Sequence, residues 1–424
     1  MAEVVVFENV RVFDGTSAAL TEPVSVLIRD NLIERISTEP IATDGQDGVT
    51  RIDGAGNTLM PGLIDAHSHM IMGAIPQVEI MMRDQNYIQL RAGAAAGEFL
   101  MRGFTTARDL GGPVFGLKDA IDAGYVIGPR IYPAGTTISQ TSGHGDFRMP
   151  VELPRADGDL HYSERFGYTA VADGVDEVLR RTRENLMRGA SHIKLMAGGG
   201  VASNYDPLDV TQYTEAEMRA AVEAAASWNT YVTVHAYTPA AIAQAIRAGV
   251  RSIEHGQLAD EETVKLMADN GVWWSMQPFL DDEHAIPFPE GSVNREKQLT
   301  MTNGTDEAYA LARKYGVKLA WGTDTLFDPE LARKQNEQLT KMVRWFTPAE
   351  VLKMATHDNA ELLALSGPRN PYPGKLGAVE EGALADLLLV RGDVLADIEV
   401  LDDPATNLLV IMKDGKIYKN TVSP

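Results

Sequence analysis

Leu59-Met60-Pro61-Gly62-Leu63-Ile64-Asp65-Ala66-His67-Ser68-His69 is an apolar run that ends in two histidines one residue apart. Side chains alternate along a strand, so His67 and His69 point to the same face. Two imidazoles on one face make a metal clamp. Pro61-Gly62 interrupts the run just before it, as at a crossing between two structural units.

Outward from this stretch the chain divides by pattern. Val4-Val5-Val6-Phe7, Arg11-Val12-Phe13 and Val24-Ser25-Val26-Leu27-Ile28 read as strands separated by turns at Asp14-Gly15 and Asp30-Asn31. Near the other end, Ala385-Asp386-Leu387-Leu388-Leu389-Val390 and Leu408-Leu409-Val410-Ile411-Met412 read alike, and Lys413-Asp414-Gly415-Lys416 carries the Asp-Gly hairpin signal. One small β-domain made from both termini is expected. The middle alternates strands with helices. Strand stretches fall near 62–68, 104–110, 130–135, 192–197, 231–236, 252–256, 272–278 and 318–323. A helix is expected over Glu215 to Trp228, with Thr214 and Glu217 at capping-box spacing. The expected fold is therefore α/β, a (β/α)8 TIM barrel with a small β-sandwich domain: residues 1–60 and 368–424 form the sandwich and 61–367 the barrel. An open doubly wound sheet is the alternative, but no GxGxxG follows the first strand.

Barrel chemistry gathers at the C-terminal strand ends. There lie His67 and His69 on strand one, Lys194 on strand four, His235 on strand five, His255 on strand six and Asp324 on strand eight. Singly, a strand-end histidine is more often structural, and a lysine on an apolar strand usually snorkels or pairs. Jointly, these groups converge on one mouth and fit a two-metal hydrolytic centre.

Composition sets bounds. With no cysteine, disulfides and thiolate metal sites are excluded, so any metal has nitrogen and oxygen ligands. A net charge of −21 argues against nucleic-acid binding. No apolar run reaches the length of a membrane span. Met1 to Phe7 is too short and too acidic for a signal peptide. A cytoplasmic location is expected, or an exported one where a signal peptide has been removed.

The phrases Met60-Pro61-Gly62-Leu63-Ile64-Asp65-Ala66-His67, Ser142-Gly143-His144-Gly145-Asp146 and Gly322-Thr323-Asp324 resemble the amidohydrolase superfamily. They are similar to its branch of imidazolonepropionase-like enzymes, Xaa-Pro dipeptidases and ochratoxin-degrading amidohydrolases, over nearly the whole chain. The resemblance implies that His67, His69 and Asp324 bind the more buried metal and His235 and His255 the more exposed one. It implies that Lys194 bridges them as a carboxylated lysine, a carbamate derived from carbon dioxide. Two divalent ions, zinc by ligand type, would share a hydroxide with a pKa of about 7. Asp324 would take its proton and return it to the leaving nitrogen. The implied substrate is a small-molecule amide that yields a C-terminal amino acid: an N-acyl amino acid, an Xaa-Pro-type dipeptide or ochratoxin A. A cyclic-amide hydrolase is the alternative, and a non-catalytic scaffold the non-enzyme reading. Relatives imply a homo-oligomer, up to an octamer.

Specificity is expected from loops. In Thr141-Ser142-Gly143-His144-Gly145-Asp146-Phe147-Arg148, His144 and Arg148 are candidates to grip a substrate carboxylate or carbonyl. Against this, His144 can cap a turn and Arg148 can pair with an acid. Tyr237 lies two residues beyond His235, and the resemblance implies contact with the scissile carbonyl, against a packed core tyrosine. Gly198 to Asp206 reads as a mobile wall or lid without a phosphate-loop ending. Met70, Met72, Met81 and Met82 are expected in the core. His192 is expected as a core residue, and His161, His284 and His357 as loop or helix structure.

Overall fold

The computed structural model describes residues 4–43, 48–154 and 159–422. Met1 to Glu3, part of the stretch read for a signal peptide, lie outside them.

The barrel strands form two parallel arcs. Leu63–Ser68, Phe104–Asp109 and Arg130–Pro133 make the first. The second runs Thr169–Val171, Thr137–Ser139, Ile193–Met196, Val232–Ala236, Ser252–His255, Trp273–Met276 and Leu319–Trp321. Each expected stretch contains a strand. The third barrel strand was legible only in part: it leaves the first arc at Pro133 and resumes as Thr137–Ser139 in the second. Thr169–Val171 was not anticipated.

The seam between the eighth strand and the first is closed by a side chain. The Asn359 amide donates to the carbonyls of Ile64 (2.7 Å) and Trp321 (2.8 Å), and its oxygen accepts from the Trp321 N–H (3.0 Å). Beside it, the Asp324 N–H donates to the His67 carbonyl at 2.8 Å. Without such partners, buried strand-edge groups would each cost about 1–3 kcal/mol.

Both termini build one further sheet, ordered Lys416–Asn420, Leu408–Lys413, Leu387–Val390, Thr58–Pro61, Val4–Val12, Val24–Arg29 and Leu32–Ser37, with Val49–Asp53 also pairing to Val4–Val12. Phe7, Ile28, Leu389 and Met412 are among its buried residues. The two strands expected over Val4–Phe7 and Arg11–Phe13 are one bulged strand, with Asn9 at φ 52°. Asp414 and Gly415, at φ 55° and 72°, form the expected hairpin turn. Around the barrel, helix Glu215–Ser227 carries the capping box: the Glu217 carboxylate accepts from the Thr214 N–H at 2.7 Å. Among the described residues no helix is long and apolar enough to cross a membrane.

Candidate active site

His67, His69, Lys194, His235, His255 and Asp324 all line one cavity of about 360 Å³ at the barrel mouth. The Nε2 atoms of His67 and His69 lie 3.0 and 3.2 Å from Asp324 Oδ1. Ligand atoms of these three residues fall within 4.8 Å of one another, a group able to hold a metal ion. Gly322 permits the approach, since a Cβ there would sit 2.3 Å from the His67 nitrogen. Asp324 itself bends at φ 51°. The outer histidines follow around the rim, with the His235 and His255 rings 4.5 Å apart.

Each of the four histidines commits one ring nitrogen to an acceptor. His67 Nδ1 meets Glu254 Oε2 at 2.8 Å and His69 Nδ1 the Gly111 carbonyl at 3.1 Å. His235 Nε2 meets the Gly199 carbonyl at 3.1 Å and His255 Nδ1 the Gln277 amide oxygen at 2.7 Å. Such an anchor fixes the orientation of a histidine whose other nitrogen can serve a metal; at His67 and His69 that other nitrogen, Nε2, rests against Asp324 Oδ1.

Glu254 is wholly buried. Its other oxygen takes bonds from the Arg108 guanidinium and the Thr233 hydroxyl. Burial alone would raise its pKa, but Arg108 holds it well below the carboxylate range. Asp324 is likewise held low against burial, by His67 and His69. Burial works against the charged form of His67, and Asp324 outweighs it, so the pKa of His67 rises. His69, His235 and His255 are pushed down by burial. Burial also pulls Lys194 down to about 8, against the pull of Glu254 and Asp324. Its ammonium makes no hydrogen bond among the described residues.

His144 stacks on His235 at 4.1 Å, lines the metal-facing cavity, and meets Ser203 Oγ at 2.7 Å through Nδ1. Burial depresses its pKa to about 4, so it is a neutral imidazole. Tyr237 packs edge-on against His235. It lines an adjoining cavity with Val201, Phe279, Ile286, Phe288 and Met301, which His144 and Asp324 also border. Its hydroxyl has no hydrogen-bond partner among the described residues. Arg148 is not brought to either cavity. Its Nε and Nη2 bind the two oxygens of Asp146 at 2.7 and 2.6 Å, so its fork is already filled.

Of the expected wall or lid, the Gly198 to Asp206 loop supplies a wall, with Val201, Ala202 and Ser203 lining the cavities. Lys297 Nζ donates to the carbonyls of Gly200, Ser203 and Asp206 at 2.7–3.0 Å, and Asn294 to that of Val201. Gly200 lies flat on the His144 ring, where a Cβ would come within 1.8 Å of Nδ1. Met70 and Met72 are buried as expected, but Met81 and Met82 are exposed, because they end the short surface helix Gln77–Met82. His192 is a core residue stacked on Tyr231. His161 caps helix Tyr162–Arg165, His284 pairs with Glu337, and His357 pairs with Asp358.

Sequence reading missed Glu254, Arg108 and Gln277, which orient histidines, and the cavity residues Thr137, Phe147 and Tyr168. A signal existed for the first two. Arg108 and Glu254 stand on apolar strands, where burial demands opposite-charge partners.

The amidohydrolase family model matches residues 58–418. The chain is 34% identical over 381 residues to ochratoxinase from Aspergillus niger, covering 85% of this chain and 75% of that one. Among solved structures, a prolidase complexed with N-methylphosphonate-L-proline superposes with a TM-score of 0.87 at 34% identity, over 98% of this chain and 100% of the other. A Xaa-Pro dipeptidase with methionine in its active site gives 0.83 at 31% identity, over 99% and 100%. The chain therefore belongs to the amidohydrolase family, as a hydrolase of carbon–nitrogen bonds on the branch that holds prolidases, Xaa-Pro dipeptidases and ochratoxinase.

Proposed function

We propose that the chain is a binuclear metal-dependent amidohydrolase that cleaves an amide to release a C-terminal amino acid with an apolar side chain. One observation carries this reading: six donor-bearing residues line one cavity, and every histidine among them already has its second nitrogen anchored. In this reading His67, His69 and Asp324 hold the inner ion and His235 and His255 the outer one.

The donor set fits the group. Nitrogen and oxygen donors suit zinc. A carbamate on Lys194 requires a neutral amine, and burial without a hydrogen-bond partner favours that form. When bound, two divalent ions supply a Lewis acid for the carbonyl and a water acidified to about pKa 7.

The chain's own residues do the rest. Asp324 accepts a proton at its carboxylate and returns it to the leaving nitrogen. The pair of histidines on Oδ1 leaves Oδ2, 3.9 Å from His255 Nδ1, as the oxygen for that transfer. His144, being neutral, offers a hydrogen bond rather than a charge, which suits a carbonyl oxygen better than a carboxylate. The free Tyr237 hydroxyl borders the apolar cavity, where it orients the amide while Phe279, Ile286 and Phe288 enclose an apolar side chain. N-Acyl amino acids, Xaa-Pro-type dipeptides and ochratoxin A all meet this description.

The test is a chelator-controlled panel of N-acyl-phenylalanine, ochratoxin A, Xaa-Pro dipeptides and cyclic imides, with metal counted per chain. Chelator-sensitive release of an apolar amino acid is expected. Turnover of the cyclic imides alone, or full activity without metal, overturns the proposal.

A further inference from the structure

A second cleft shares only His69 with the cavity at the barrel mouth. It opens between helix Gln85–Met101 and helix Pro329–Arg333. Its outer part, about 280 Å³, is bordered by Arg91, Glu98, Arg102 and Arg333. Its inner part, about 50 Å³, also meets Arg102 and continues to Gln335, Thr323 and His69. Arg102 thus stands where the two parts join.

The charges around this cleft do not balance. Arg102 donates through Nε to the Gln335 amide oxygen at 3.1 Å and lies over the Phe99 ring. No carboxylate pairs with it among the described residues. The acid behind it, Asp65, is separated by Gln335, whose amide nitrogen donates to Asp65 at 2.8 Å. Arg91 is exposed and makes no ion pair among the described residues. Glu98, the one acid on the wall, is engaged by Arg333 at 3.2 Å. Arg333 is also paired with Glu330 at 2.5 Å, so in a chain of net charge −21 the cations left without a carboxylate here, among the described residues, are Arg91 and Arg102.

Burial pulls Arg102 down to about 10, and Glu98 and Asp65 offset only part of that. Arg102 is half-buried, and a guanidinium partly withdrawn from water without an acid is costly. Its remaining N–H groups keep the planar fork that binds oxyanions through two parallel hydrogen bonds.

We propose that this cleft binds a small oxyanion, held by the Nη groups of Arg102 with Arg91 and Arg333 at the entrance. Carboxylate, bicarbonate and phosphate share the required chemistry. None of the binding groups belongs to the metal cluster, so the site stands independently of the proposed activity.

The test uses the metal-loaded full chain in chloride at constant ionic strength. Acetate, bicarbonate and inorganic phosphate are titrated separately, with thermal shift and calorimetry as readouts. At least one should give a saturable rise in Tm, and the strongest names the source. Arg102→Gln should weaken that anion at least about tenfold. Arg91→Gln with Arg333→Gln, both at exposed positions, should weaken it about three- to tenfold and keeps the test usable if Arg102→Gln folds poorly. If no anion stabilises the wild-type chain, the proposal fails. It fails equally if the shift survives undiminished in the variants, which would place the anion at the metal centre instead.

Discussion

The inner and outer halves of the cavity at the barrel mouth offer the same donor chemistry on unlike supports. On the inner side, His67 leans on a buried carboxylate, Glu254, which is itself tied to Arg108, and the Asp324 carboxylate bridges His67 and His69. On the outer side, His235 and His255 lean on neutral oxygens, a backbone carbonyl and the Gln277 amide. Charge in the supporting layer raises the basicity of a ligand and fixes its orientation. On the proposed binuclear reading, the inner half, where His69 leans on the neutral Gly111 carbonyl but His67 on Glu254, should hold its ion more tightly. On the same reading, the outer half should exchange its ion more readily.

The largest expected effect comes from the residue that serves both halves. Asp324→Asn should lower kcat by about 10³-fold while the fold and most of the metal persist. Near-wild-type turnover by that variant would remove Asp324 from the proton path.

Next comes the charged support. Glu254→Gln should weaken the tighter of the two metal sites by about 10- to 100-fold in chelator competition. It should also lower Tm, because buried Arg108 loses its acid, at a cost of about 3–5 kcal/mol. Unchanged affinity of the tight site would erase the distinction between the halves.

The neutral support should matter less. Gln277→Leu frees His255 Nδ1, and activity should fall by about tenfold, recoverable with added metal, while the tight site keeps its ion. Failure of excess metal to rescue it would move Gln277 out of the outer half's support.

Lys194 links the halves through pH. Its pKa is lowered to about 8, so the neutral amine grows as pH rises through that value. Loading of metal-free protein with zinc and bicarbonate should be faster at about pH 8.5 than at about pH 6.5. Lys194→Ala should lose both the loading and its pH dependence, as read from bound metal per chain.

Arg148→Lys should have the smallest effect. The Arg148 fork serves Asp146 and not the cavity, so kcat should change less than about threefold. A large rise in KM for carboxylate substrates would restore Arg148 to the substrate site.

The strand ends were legible because a polar residue that closes an apolar strand is conspicuous, as at His67, His235 and His255. Asp324 was legible from the Gly-Thr-Asp that follows Trp321. Other features were hidden because they depend on partners remote in sequence. Glu254 reads as an ordinary acid until His67, 187 residues earlier, comes within 2.8 Å. Thr137–Ser139 was hidden because three residues make too short a run for periodicity to register. The filled fork of Arg148 was a matter of loop curvature, which sequence spacing does not convey. The three carbonyl bonds that hold the Gly198 to Asp206 wall were hidden because they come from Lys297, on the distant helix Val293–Thr302.

Asn359 stands in for a missing rung between the eighth strand and the first, and it lies 35 residues beyond Asp324. Among the described residues, the only direct backbone bond across that seam is the one from the Asp324 N–H to the His67 carbonyl, so the three Asn359 bonds carry most of its hydrogen bonding. A single amide that touches none of the proposed metal ligands thus sets how firmly the first and eighth strands, which carry His67, His69 and Asp324, are held side by side.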